Sequence, residues 1–185
     1  YSEEWVKEAA RRGLPNLPTT VDALPAYIEP KNMEVFIKNH VFSEAEIHSR
    51  YEILMENYSK VVNIEALTMV DMARRQILPA VIRYNNLVCG TLSSKMQIGI
   101  GLDLTAETEL AKQLSELSGR LSKQIEELER SVSSAKDIED ALERAKAYKD
   151  VVLPNMDALR QTADSLELIT AKEYWPFPTY EDLMF

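Results

Sequence analysis

Apolar side chains recur every three or four residues from Ser43 to Cys89, which is the spacing of one continuous helical stripe. This stretch contains no glycine and a single proline, Pro79. At 1.5 Å per residue, a helix of this length extends about 70 Å. We predict one long helix that bends near Arg75, because Pro79 removes a backbone donor. The stripe consists of Ile47, Tyr51, Leu54, Tyr58, Val62, Ala66, Met69, Ala73, Ile77, Ala80, Tyr84 and Leu87.

Further apolar residues lie off this stripe, so more than one side of the predicted helix must be covered. These residues are Ile53, Ile64, Leu67, Val70, Leu78 and Ile82. The start of the helix is well marked, because Ser43 and Glu46 have the Ser-x-x-Glu spacing of a capping box. Phe42 and Ile47 supply a hydrophobic staple across the same boundary.

The residues before Ser43 predict short elements separated by prolines. A helix over residues 2–12, capped by Ser2, is ended by Gly13 and Pro15. Residues 13–30 carry four prolines and predict a connector with one short helix near residues 21–27. Pro30 opens another short helix at its first turn, which ends around residues 39–40.

Two further long helices are predicted after the first one. Residues 90–103 contain three glycines and predict a loop that crosses back over the bundle. The helical pattern returns at Thr105 and continues until serines at 131, 133 and 134 predict a break. A third helix then begins at residues 134–137, with a kink at Pro154.

These patterns predict an all-α fold, a long-helix antiparallel bundle of three long helices with short N-terminal helices. We expect three segments along the chain. Residues 1–42 hold the short helices and the proline-rich connector, residues 43–172 form the bundle, and residues 173–185 form an extended, aromatic docking tail.

The tail is the most unusual part of the sequence, because it holds five of the fourteen aromatic residues. Side chains this apolar must dock, either on the bundle or on a neighbouring subunit. We therefore predict that Trp175, Phe177, Tyr180 and Phe185 bind a partner surface. Trp175 and Phe177 are the expected anchors.

Charge and composition exclude several classes of protein. The formal net charge of −9 argues against nucleic-acid binding, which requires clustered basic residues. No apolar run approaches the length of a membrane span, and there is no signal-peptide region. The single cysteine, Cys89, fits a reducing, cytoplasmic compartment. Because the chain starts at Tyr1 without a methionine, we expect it to be a piece of a longer protein.

The sequence offers few candidates for chemistry. His48 and Glu52 share a helical face as half of a metal site, but a solvated pair is the better interpretation. No Glu-x-x-His motif of a di-iron bundle is present. Gly99 and Gly101 lack the third glycine and the strand of a dinucleotide-binding motif. Cys89 is expected to be a packed thiol. We predict no catalytic, cofactor-binding or metal-binding residue.

Several long runs resemble the C-terminal region of type III glutamine synthetases. One run covers residues 63–83 (NIEALTMVDMARRQILPAVIR) and is preceded by residues 48–54 (HSRYEIL). Another is the terminal WPFPTY of residues 175–180, followed by DLMF. Residues 1–5 (YSEEW) and 19–25 (TTVDALP) belong to the same resemblance, which is weakest across residues 105–170.

The resemblance implies a parent enzyme that ligates ammonia to glutamate using ATP and Mg or Mn, through a γ-glutamyl-phosphate. It also implies a ring-forming homo-oligomer whose catalytic motifs precede this piece, so we carry over no catalytic residue. The expected function is a non-catalytic C-terminal domain, inactive alone, that packs against the remainder of the same polypeptide and neighbouring subunits. The alternative is a free-standing, coiled-coil-like interaction scaffold, favoured by the near-heptad spacing over residues 110–132 and 138–169.

Overall fold

The structure is a computed structural model that describes residues 2–184, apart from the side chains of Tyr180 and Glu181. Nine α-helices are formed in this range, and no strand. The short N-terminal helices are α1 (Glu3–Arg11), α2 (Thr20–Ala23) and α3 (Pro30–Lys38), with a 3-10 turn at Leu24–Ile28. The others are α4 (Glu44–Met72), α5 (Leu78–Ile98), α6 (Thr105–Lys136), α7 (Ala141–Ala147), α8 (Leu153–Ile169) and α9 (Tyr180–Met184). The predicted all-α fold is confirmed.

The predicted long helix is formed by α4 and α5, which are joined without a loop by one π-helical turn, Ala73–Ile77. Its start is the predicted capping box. The Glu46 N–H donates to Ser43 Oγ at 3.3 Å, and the Ser43 N–H donates to Glu46 Oε2 at 2.8 Å. The N–H of Ser43, followed by its hydroxyl, donates to the charged carboxylate and holds the pKa of Glu46 below its usual value.

The loop predicted for residues 90–103 is wrong in its first part. Gly90 lies inside α5, which continues to Ile98 and ends at Gly99 in the left-handed conformation, with φ of 73°. One glycine in a helix costs only about 1 kcal/mol, which packing against α6 offsets. The remaining connection is short. It is closed by an ion pair between Lys95 and Glu107, and Asp103 Oδ1 accepts a hydrogen bond from the Thr105 N–H at 2.9 Å.

The break predicted at the serines of α6 is also wrong. The helix continues to Lys136, and the Ser131 hydroxyl donates to the Leu128 carbonyl at 2.8 Å. This local bond satisfies the hydroxyl without ending the helix. The next helix, α7, begins at Ala141, where Asp140 Oδ1 accepts from the Glu143 N–H at 2.9 Å.

The two prolines within the long helices, Pro79 and Pro154, each follow a π-turn. The first π-turn (Ala73–Ile77) precedes Pro79, and the second π-turn (Tyr148–Val152) precedes Pro154. Proline cannot donate to the carbonyl four residues earlier and its ring crowds that carbonyl, so a wider turn relieves both problems. The sequence predicted a bend near Arg75 and a kink at Pro154; the structure has a π-turn at Arg75 and another directly before Leu153 and Pro154.

The core lies where α6 packs between the other two long elements, on α5 and on α8. Buried residues of α6 face both neighbours, which is the antiparallel arrangement that the sequence predicted. A smaller core holds the N-terminal connector on α4, through Val21, Tyr51, Met55 and Ala145. The buried residues of α6 are Leu114, Leu121, Ile125, Leu128, Val132 and Ala135.

The tail is not extended throughout, which corrects the prediction. The N–H groups of Tyr174 and Trp175 donate to the Ala171 carbonyl at 2.8 and 3.2 Å, and α9 occupies residues 180–184. Thr179 and Asp182 explain this helix, since Asp182 Oδ2 accepts from the Thr179 N–H at 3.0 Å and the Asp182 N–H returns to Thr179 Oγ1 at 3.4 Å. These reciprocal bonds resemble a capping box.

Candidate functional site

The aromatic tail packs on its own chain. Trp175 and Phe177 are half-buried against the main core, and the ring of Tyr174 lies 5.3 Å from that of Tyr84. Phe185 and the side chain of Tyr180 lie outside the described residues. Partner binding by these four predicted site residues stays a prediction.

The tail forms one wall of an apolar groove of about 410 Å³. The opposite wall belongs to the end of α4 and the first π-turn. The apolar lining residues are Met69, Met72, Ala73, Ile77, Leu159, Ala163, Trp175, Phe177, Pro178 and Leu183. The sequence did not predict this groove, because its lining residues come from separate stretches of the chain.

Helix α8 places the charged groups of the groove on one face. Arg160, Asp164 and Glu167 follow each other at helical spacing and all line the groove. The Arg160 Nε–H donates to both carboxylate oxygens of Asp164, at 3.1 and 3.2 Å. Glu167 is half-buried, and within the described residues its carboxylate forms no hydrogen bond or ion pair.

An ion pair between Lys172 and Asp182 links α9 to the residue that directly precedes the tail. Lys172, followed by the hydroxyl and the N–H of Thr179, lowers the pKa of the Asp182 carboxyl to about 2. The charged form of Asp182 is therefore the one that holds the tail in this conformation.

A second candidate surface is an exposed apolar row on the first long helix, which we call the outer stripe (Ile53, Val61, Ile64, Leu67 and Ile82). Ile64 is 63% exposed and Ile53 is 61% exposed, although both are large apolar residues. At 3.6 residues per turn, the members on α4 lie roughly opposite the buried face of that helix. The buried residues of α4 are Ile47, Tyr51, Met55, Ser59, Val62, Ala66 and Val70.

The second apolar set predicted from the sequence divides between the main core and the outer stripe. Val70 is buried and Leu78 is half-buried, whereas Ile53, Ile64, Leu67 and Ile82 are exposed. Two ion pairs within the helix lie on the same side of it as the outer stripe. They join Lys60 to Glu56 at 3.3 Å and Arg75 to Asp71 at 3.0 Å.

Two ion pairs link the π-turns to other elements, and the sequence did not reveal either of them. Arg74 in the first π-turn pairs with Glu129 of α6, with Nη1 and Nη2 of the guanidinium each donating to one carboxylate oxygen. Lys149 in the second π-turn donates to Asp22 Oδ1 at 2.7 Å. Lys149, followed by Thr19, lowers the pKa of Asp22.

The residues considered for chemistry are not brought together. His48 and Glu52 are both exposed, and the described part of the chain contains no group of three or more metal-ligating side chains. Cys89 is exposed, with its Sγ 3.7 Å from Asn85 Oδ1, so the prediction of a packed thiol is wrong. Val88, the preceding residue, is the one that faces the core.

None of the described helices is both long enough and apolar enough to cross a membrane. The fold and its surfaces therefore define a helical module that carries an apolar groove and an uncovered apolar stripe. Residues 1–96 match the family described as the glutamine synthetase C-terminal domain. The chain belongs to this family, which confirms the resemblance seen in the sequence.

Similar proteins from three organisms are named glutamine synthetases. The chain is 36% identical over 185 residues to a glutamine synthetase of Butyrivibrio fibrisolvens and 34% identical over 190 residues to one of Bacteroides fragilis. It is 31% identical over 189 residues to a type-3 glutamine synthetase of Dictyostelium discoideum. Each match covers 100% of this chain but only 26% of the relative, so the chain spans about a quarter of the length of these proteins.

Proposed function

We propose that this chain is a non-catalytic helical part of a glutamine synthetase and that its outer stripe packs on the rest of the enzyme or on a neighbouring subunit. The observation that carries the proposal is the exposure of the outer stripe within residues 1–96, the segment that matches the family. The partners are thus the remainder of the same polypeptide and further copies of it in a homo-oligomer.

The stripe is long and apolar enough to contribute to an interface. From Ile53 to Ile82 it extends about 44 Å at 1.5 Å per residue. Full burial of a large aliphatic side chain stabilises by about 1.5–3 kcal/mol, so five half-exposed ones contribute roughly 5 kcal/mol before the costs of association. The ion pairs on the same side of the helix would supply the polar contacts that accompany the apolar ones in an interface.

Catalysis belongs to the rest of the parent enzyme in this proposal. ATP and Mg or Mn would bind there, and ammonia would be ligated to glutamate there. We expect the 185-residue chain to show no glutamine formation with ATP, Mg²⁺, glutamate and ammonia. Turnover by this chain alone, after removal of any host glutamine synthetase, would contradict the assignment.

The packing role is tested by placing one charge on the stripe of the full-length enzyme. Ile64→Lys is the test, and Leu168→Lys is the matched control, because Leu168 on α8 is 87% exposed and lies outside the stripe. We expect Ile64→Lys to reduce the assembled mass measured by light scattering, because a lysine ammonium cannot be buried without a partner. The control should assemble normally.

Both substitutions are surface changes, so circular dichroism and the melting temperature of the 185-residue chain should stay the same. If Ile64→Lys assembles as well as Leu168→Lys, the stripe is not an interface and the proposed packing role is wrong.

A further inference from the structure

The apolar groove owes its existence to a particular combination of residues. The first π-turn widens the helix at Ala73, and α8 presents Ala163 from the other side of the groove. Both side chains are single methyl groups, so the two helices leave space between them. The ends of that space are then lined by larger groups, including Met72 and Trp175.

The size and lining of the groove suit a small molecule. Its volume of about 410 Å³ falls within the roughly 300–1,000 Å³ of ligand pockets. Methionine side chains adapt to irregular ligands, and the rings of Trp175 and Phe177 offer faces on which an aromatic group can stack. The outer stripe, in contrast, is a convex helix surface without a cavity.

The charged groups favour a ligand of one sign. Asp164 is already neutralised by Arg160, whereas the carboxylate of Glu167 adds a further negative charge at the same wall. Counted over the lining residues that the structure describes, the groove carries one excess negative charge beside the aromatic rings. Aromatic faces also attract cations, so the rings and Glu167 select the same kind of ligand.

We infer that the groove binds a small aromatic molecule that carries one positive charge, with the ring between Ala73, Ala163 and Trp175 and the cation near Glu167. The ion pair of Lys172 with Asp182 positions the aromatic wall. This binding site is separate from the packing role of the outer stripe and does not depend on it.

Three probes with the same ring and different charge test the inference on the 185-residue chain. They are 1-naphthylmethylammonium, 1-naphthylmethanol and 1-naphthylacetate, titrated at pH 7. The chain has two tryptophans, so the indole N–H signals in a ¹H–¹⁵N spectrum are assigned with Trp5→Phe. Trp175 reports on the groove, and Trp5 on α1 is the internal reference.

We expect the cation to shift the Trp175 signal saturably, with a dissociation constant on the order of 0.1–1 mM for a ligand of this size. The alcohol should bind more weakly and the acetate most weakly. Glu167→Gln should weaken binding of the cation by about two- to fivefold, the effect of a partly exposed ion pair, and leave binding of the alcohol unchanged. Glu173→Gln changes the net charge equally but outside the groove, so it should have no effect.

Ala163→Phe should fill the groove and abolish the shifts caused by all three probes. If this variant does not fold, as judged by circular dichroism, the comparison of Glu167→Gln with Glu173→Gln decides. The inference is overturned if no probe shifts Trp175 saturably, if the acetate binds as tightly as the ammonium, or if the two glutamate substitutions act alike.

Discussion

The two π-turns in the described part of the chain have the same backbone geometry and differ in their first side chain. Each is followed by a Leu-Pro step, and each connects two segments of a long helix. Ala73 opens the first π-turn, and the apolar groove lies beside it. Tyr148 opens the second, where its ring is 2% exposed and its hydroxyl donates to Asn63 Oδ1 at 3.1 Å.

This difference shows that a widened turn creates space and that the residue at its first position decides what fills the space. A tyrosine occupies it from within the chain and adds a hydrogen bond to α4. The cavities lined by residues of the second π-turn are smaller than the apolar groove, about 270 Å³ beside Tyr148 and about 360 Å³ beside Val151. Ala73 does not fill the space beside the first π-turn, so the tail covers part of it and the rest is open to the ligand that we infer.

The largest effect is expected when the second π-turn is made like the first. Tyr148→Ala removes a buried ring and should lower the free energy of unfolding by about 3–5 kcal/mol, the usual cost for a buried aromatic. Tyr148→Phe is the control that removes only the hydroxyl, with a cost of about 1 kcal/mol. Urea unfolding followed by circular dichroism measures both, and a loss below 1 kcal/mol for Tyr148→Ala would contradict this role of the ring.

The aromatic tail, which lines the groove beside the first π-turn, should contribute less to the free energy of unfolding, because its aromatic side chains are only half-buried. Trp175→Ala is expected to cost about 1–2 kcal/mol, in proportion to the apolar surface that it exposes. Deleting residues 174–185 should lower the melting temperature as well. The matched control is Leu168→Ala at an exposed position of α8, and equal stabilities for Trp175→Ala and this control would show that the tail does not support the core.

The ion pair that ties the first π-turn to α6 should contribute still less. Arg74 is 45% exposed, so solvent screens its bidentate pair with Glu129. Arg74→Gln is expected to cost about 0.2–1 kcal/mol, and less at high salt. Arg75→Gln, which removes the more exposed pair with Asp71, should be nearly neutral in the same urea titration. A loss above 2 kcal/mol for Arg74→Gln would mean that this pair is a structural element of the π-turn.

The smallest effect is confined to the tail and to acid pH. The pKa of Asp182 is about 2, below the ordinary value of 3.8, so the stability from its ion pair is present above about pH 4 and is lost as the pH falls toward 2. In a Trp5→Phe background, the fluorescence of Trp175 should change over this window. Asp182→Asn should remove the change, and an identical acid transition in that variant would rule out Asp182 as its cause.

Features that depend on nearby residues could be predicted from the sequence. The capping box of Ser43 and Glu46 and the long helix were confirmed, because both follow from short spacings repeated along the chain. The irregular turns at Pro79 and Pro154 follow from the missing N–H of proline. Even the short helix α9 has a local signal, the Thr179-x-x-Asp182 spacing, which the aromatic composition of the tail obscured.

Features that depend on packing could not be predicted in this way. Gly90 and Ser131 are weak helix breakers. Packing of α5 on α6 keeps the helix intact at Gly90, whereas a local hydrogen bond to the Leu128 carbonyl satisfies the hydroxyl of Ser131. The apolar groove combines Ala73, Ala163 and Trp175, which are far apart in the sequence and meet only because α6 sets the spacing between its neighbours. The outer stripe was visible as a second apolar set, but which members stay exposed depends on that same packing.

The packing role of the outer stripe is tested most directly by thiol labelling at Ile64. In a Cys89→Ser background, an Ile64→Cys variant and a Leu168→Cys control are treated with a thiol reagent, both as the 185-residue chain and within the full-length enzyme. We predict that the thiol at position 64 reacts quickly in the chain alone and is strongly protected in the full-length enzyme, while the control reacts quickly in both. Equal reactivity at position 64 in the two proteins would contradict the account.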